Sequence, residues 1–160
     1  ILTQTIKTIN IMKNDFKNLQ IIFLGLLMGQ IAFAIVANFM ITSMAAADTG
    51  VLIYVVPTVM MINIVVGNYI FNANLKKNVA KEDAIEKKFG AYRKNSIIRW
   101  AMMEMGNLLA IAAALVEGKT LYFALFAVGL IFFAITRPNV EDFSRQFDLS
   151  VEEEHQLKGK

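Results

Sequence analysis

The chain has 160 residues, 56% of them hydrophobic and 18% charged, with a net charge of +3. Soluble domains run at roughly 45–50% apolar and about 25% charged, so an ordinary water-soluble globule is disfavoured. With no cysteine, disulfide frameworks, thiolate metal sites and catalytic thiols are excluded, and so small a net charge does not by itself argue for nucleic-acid binding.

The first residue is Ile1, and Met12 followed by Lys13, Asn14 and Asp15 reads as a natural start. Residues 1–18 are therefore set apart as an N-terminal segment, with 1–11 expected to lie outside the native fold. The competing expectation is an amphipathic arm, because Leu2, Ile6, Ile9 and Phe16 recur near helical spacing. No cleavable signal peptide is evident, since its apolar core would be shorter than 19–41.

Four apolar blocks follow. A helix needs about 20 apolar residues to cross roughly 30 Å of hydrocarbon. Residues 18–47 and 49–75 contain no charge, and the natural spans within them are 19–41 and 51–71. Pro57 falls in the first two turns of the second, where a proline costs least. The third span is 97–116, interrupted by Arg99 and Glu104, and the fourth is 121–136, closed by Arg137 and Pro138. The expected fold is an all-α membrane domain, 19–136, built as a four-helix bundle of two hairpins. Helices are required because every backbone polar group must be satisfied inside the bilayer. Barrel strands would be shorter and would alternate in polarity.

The loop 72–96 carries seven Lys and Arg against three acids, whereas the turns after spans one and three carry almost no basic charge. The positive-inside rule then places this loop, both termini and the tail 137–160 in the cytoplasm. Lysine, asparagine and isoleucine usage suggests a bacterial cytoplasmic membrane. Val79, Ile85, Phe89 and Tyr92 approximate one helical face. Residues 79–95 therefore read as a cytoplasmic amphipathic helix, lying on the membrane or running straight into span three, with a solvated connector as the competing reading. Lys76, Lys77, Lys87 and Lys88 would attract anionic lipid headgroups, which makes membrane lipid the expected partner. Arg99 would snorkel to the same interface and Trp100 would anchor there. In the tail, Ser150 and Glu153 have capping-box spacing, Phe143 and Phe147 are placed to dock on the basic loop, and acids 152–154 to meet its charges. His155, the one histidine, is expected to be exposed.

Glu104 is the only acid inside a span. It lies about eight residues from the basic end, roughly 12 Å in, where a carboxylate is costly unless partnered or protonated. Asn107 shares its face, Gln30 lies mid-span in the first helix and Asn63 in the second. These four form a candidate intramembrane polar layer. It serves either as an ion or proton site or as interhelical hydrogen bonding that fixes packing. Gly25 and Gly29 form GxxxG, and Gly106, Ala110 and Ala114 form a row of small residues, both signatures of close helix packing.

Residues 27–30 and 104–107 can be superposed, which suggests two duplicated hairpins. The segment 101–111, Ala-Met-Met-Glu-Met-Gly-Asn-Leu-Leu-Ala-Ile, resembles the carboxylate-bearing helix of the proteolipid (c-type) subunits of rotary ATPases. The resemblance implies an ion-carrying role for Glu104, with Gln30 standing where a duplicated hairpin has lost its acid. The chain departs from that family in its glycine-poor second and fourth spans, its long basic loop and its acidic tail. Taken whole, it resembles small four-span bacterial membrane proteins.

No P-loop, dinucleotide glycine motif, HExxH or serine elbow is present. The expectation is a non-enzymatic accessory or scaffold component of the membrane, without cofactor, metal or nucleic acid, joined to copies of itself or to another membrane protein. The alternative is a proton or cation translocation subunit that uses Glu104 in an oligomer. A membrane enzyme or lipid-interacting role is the third and weakest reading.

Overall fold

The computed structural model describes residues 2–41, 50–78, 80, 83–149 and 154, without the side chains of 2–13, 76 and 78. These residues form five helices and no strand: α1 (Leu2–Ile41), α2 (Leu52–Asn78), α3 (Ile85–Glu117), α4 (Leu121–Ile135) and α5 (Val140–Phe147). The segments Asn14–Ile41, Leu52–Leu75 and Ile85–Glu117 are each long and apolar enough to cross a bilayer. At about 1.5 Å per residue, α4 spans only some 22 Å. It meets the same test only when joined to α5, from which it bends by 65°. Three to four helices are therefore able to span a membrane.

The surface is the reverse of a soluble protein's. Phe39, Tyr54, Met61, Tyr69 and Ile135 are each more than 70% exposed, and Ile21, Val65, Val128 and Ile131 more than half. Water would make so wide an apolar surface an aggregation liability. Lipid tails remove that cost, and the backbone polar groups are already satisfied within the helices.

α3 is the hub of the bundle. It packs along α2, α4 and α1, whereas α1 and α2 make at most marginal contact with each other. Half of the apolar window of α3 is buried, against 17% for α1 and 22% for α2. The expected pair of hairpins is thus realised only by α3 and α4, and α1 crosses over to pack on α3. Small residues explain the central place of α3. A Cβ added at Gly106 would lie 3.2 Å from Met60 Cα, and Ala110, Ala113 and Ala114 are buried in one cluster with Met60, Tyr122 and Phe126. Such residues let backbones approach closely where dispersion, rather than water exclusion, drives association.

The helix begins at Ile85, six residues after the expected start at 79, with Ala80, Asp83 and Ala84 outside it, and runs without interruption into the apolar part of α3. Val79 lies outside the described residues. At its other end α3 stops at Gly118, whose φ of +63° is the left-handed conformation that closes helices.

An aromatic core holds the basic end together. Phe16 of α1 lies 4.6 Å from Phe89 and 5.4 Å from Phe143 between ring centroids, and Tyr92 lies 5.4 Å from Phe143. Edge-to-face and tilted pairs of this kind contribute about 0.5–1.5 kcal/mol beyond area burial. Asn139 starts α5 by accepting the Asp142 amide N–H on its side chain at 2.6 Å, a true N-cap. Phe143 and Phe147 are buried, docked on the Phe89–Tyr92 face as the sequence suggested. The Ser150–Glu153 spacing and His155 lie outside the described residues. Of the acidic run only Glu154 is described, and it accepts a 2.8 Å hydrogen bond from the Ser144 hydroxyl.

Candidate functional site

Two polar groupings stand out, one in the middle of the bundle and one at its basic end. In the middle, Asn107 Nδ2 donates to Gln30 Oε1 at 2.7 Å, joining α3 to α1. Both side chains are at most 2% exposed. Asn63 of α2 is also buried, and its amide nitrogen would sit 3.5 Å from a Cβ on Gly106. Three of the four expected polar residues therefore lie inside the bundle, two of them directly bonded. Among the described residues Gln30 Nε2 and Asn63 Nδ2 have no partner, an unsatisfied pair of donors in a setting where such groups are costly.

Glu104 stands apart from this layer. It is partly exposed, and among the described residues nothing bonds its carboxylate. One turn before Asn107, it sits at the rim of the buried stripe of α3 instead of on it.

Gly129, the lone glycine of α4, is what makes room for the layer. A Cβ there would collide with the Asn107 side-chain oxygen and with the Met60 methyl. Sequence reasoning passed over this position. The usable signal was one glycine facing a polar residue in an otherwise bulky helix.

The small-residue rows divide. Gly106, Ala110 and Ala114 are packed inside, whereas a Cβ on Gly25 or Gly29 would meet nothing within 4 Å.

At the basic end, Arg99 and Trp100 were expected against lipid headgroups, but both are buried, at 8% and 0% exposure. The cause is the end of α4. Its last carbonyls have no intrahelical partner and carry the negative end of the helix dipole. Arg99 Nη2 and Trp100 Nε1 both donate to the Thr136 carbonyl at 3.3 Å. The Arg99 guanidinium also stacks on Phe71, 4.0 Å from the ring centroid, a cation–π contact. The four lysines differ in the same way. Lys77 and Lys87 are exposed, and Lys87 pairs with Asp83 at 2.9 Å. Lys88 is buried, and the Lys76 side chain lies outside the description.

Tyr92 donates to Asp142 Oδ2 at 3.1 Å and Gln20 to the Pro138 carbonyl at 3.1 Å. These bonds tie the α4–α5 connection to α3 and α1. Beside that connection opens a cleft of about 420 Å³ lined by Asn68, Arg99, Arg137 and the first turns of α5. At the opposite end of α3, Glu117 is buried and accepts from Tyr122 at 2.6 Å, with Lys119 at 3.3 Å. The expected third span, 97–116, stops one residue short of it.

Among the described residues no three His, Cys, Asp or Glu side chains gather to hold a metal ion. Comparison with family models, curated proteins and solved structures finds no match to this chain.

Proposed function

We propose that the chain is a four-span bundle of the bacterial cytoplasmic membrane, with its basic loop and termini on the cytoplasmic side, acting as a non-enzymatic accessory or scaffold component. The charge asymmetry of the loops supports the orientation. The observation that carries the functional reading is the Asn107–Gln30 bond. Asn107 and Gln30 are bonded to each other across α3 and α1, which is the structural use of polar residues in membranes. Gly25 and Gly29, bare on the outer face of α1, then serve as the contact surface for a second copy or another membrane protein.

One observation favours the ion-translocation alternative. Glu104 is unbonded and at the rim, where a carboxylate shared between neighbouring subunits would sit. Reconstitution in proteoliposomes separates the two. The scaffold reading expects energy transfer between labelled copies that disappears in Gly25→Leu/Gly29→Leu and persists in Glu104→Gln. A proton or cation flux that Glu104→Gln abolishes, with carbodiimide labelling selective for Glu104, would overturn it.

A further inference from the structure

The cleft at the basic end is a built site. It is lined by Asn68 of α2, Arg99 of α3, Arg137 just past α4, and Glu141, Asp142 and Arg145 of α5. Its volume of about 420 Å³ falls in the range of small-ligand pockets, about 300–1,000 Å³.

The charges in it are unequally used. Arg145 is paired with Asp142 at 2.9 Å, and Asp142 also accepts from Tyr92. Arg99 has five N–H donors and gives one of them to a neutral carbonyl at 3.3 Å. Among the described residues its Nε is buried without a partner and no carboxylate forms an ion pair with it. A guanidinium that is 92% buried, with the Asp142 carboxylate of the same cleft acting on it only from beyond ion-pair distance, is an expensive arrangement. Arg137 lines the same cleft, exposed, and among the described residues its side chain has no partner. Two guanidinium forks with unused donors suit a phosphate, whose oxygens they match in pairs.

The flank of the cleft indicates where the phosphate comes from. Ile135 is 74% exposed, on the apolar surface assigned to lipid, and it lines the cleft together with Arg99. The cleft therefore borders the lipid-facing surface on that side. We propose that this cleft binds a phosphate group, the headgroup phosphodiester of an anionic phospholipid, with Arg99 and Arg137 as its charged ligands and Asn68 as a further hydrogen-bonding group.

This rests on the membrane reading, and the two fail differently. A chain that stays dispersed without detergent removes that reading, whereas the variants below act on the cleft alone. The full chain is purified in detergent, and binding of phosphatidylglycerol is followed by native mass spectrometry and by the shift in Tm. The comparisons are phosphatidylcholine and inorganic phosphate. One phosphatidylglycerol is expected per chain, raising Tm. Arg137→Gln, at an exposed position, is expected to weaken binding about tenfold, the worth of one charged hydrogen bond. Arg99→Gln is expected to weaken it further. Lys94→Gln removes an exposed charge outside the cleft and is expected to leave binding unchanged. If Arg137→Gln binds like the parent chain, or if the lysine variant loses as much, the attraction is diffuse and the site is overturned. If inorganic phosphate raises Tm and phosphatidylglycerol does not, the lipid assignment is overturned.

Discussion

Gly29 and Gly106 hold matching places in α1 and α3, each followed by a side-chain amide, Gln30 and Asn107. The amides meet, 2.7 Å apart. The glycines do not behave alike: Gly106 is pressed against Met60, and Gly29 faces open space. α3 packs along α1, α2 and α4, whereas α1 packs chiefly on α3. A row of small residues permits a close approach, and whether the approach happens depends on how many helices surround the row. In α3 the row is a packing surface already in use. In α1 it remains available to a partner.

The sharpest test of that contrast is a bulky side chain on each kind of glycine. Gly129→Leu forces atoms into the space held by Asn107 and Met60, and overpacking of this kind costs about 1–3 kcal/mol or more. Gly29→Leu places its side chain where nothing lies within 4 Å, and an unencumbered surface change stays within about 0.5 kcal/mol. Unfolding midpoints of the monomer in mixed micelles should therefore drop for Gly129→Leu and hold for Gly29→Leu. Equal losses would mean that α1 is as enclosed as α3 and would end the comparison.

The same contrast explains what the sequence could reveal. The spans were legible because runs of apolar residues report the solvent directly. Their partners were not. A helix apolar on every side carries no stripe to say which face meets which helix, so the pairing of α1 with α3 could not be read. Gln30, Asn107 and Asn63 were found by polarity alone. Glu104 was grouped with them because one turn of helix brings it near Asn107, yet that turn also rotates it about 60° away, from the buried stripe to its rim. Arg99 and Trp100 were read from their distance to a helix end. That distance does not reveal that α4 ends at the same level and offers the Thr136 carbonyl.

A smaller effect refines the comparison at the amides themselves. Asn107→Leu and Gln30→Leu, alone and together, form a cycle that isolates their bond. Interhelical hydrogen bonds in membranes average about 0.6 kcal/mol, with a maximum near 1.7, and a coupling in that range is expected here. Replacing Asn107 by Glu104 in the cycle, as Glu104→Leu with Gln30→Leu, should give a coupling indistinguishable from zero. A Glu104–Gln30 coupling as large as the Asn107–Gln30 one would return the carboxylate to the layer.

The smallest effect lies outside the membrane, at the start of α3. The Asp83 carboxylate accepts the Ala80 amide N–H at 2.7 Å and the Lys87 ammonium at 2.9 Å. The Lys87 hydrogen bond, and then the Ala80 N–H, hold its acidity below the ordinary carboxylate range. A depressed carboxyl stabilises the folded form at pH values above its unfolded pKa, about 3.9. That contribution is lost as pH falls through the lower, folded value. The first turn of α3 should therefore keep its amide protection at neutral pH and fray only in strong acid, and the loss should be small because the pair is solvent-screened. The Asp83 carboxyl carbon, followed by NMR, should titrate at higher pH in Lys87→Gln than in the parent chain. An unchanged titration would show that the lysine does not hold Asp83 in solution. The continuous run from the basic loop into α3 would then owe its start to the aromatic docking of Phe89 and Tyr92 alone.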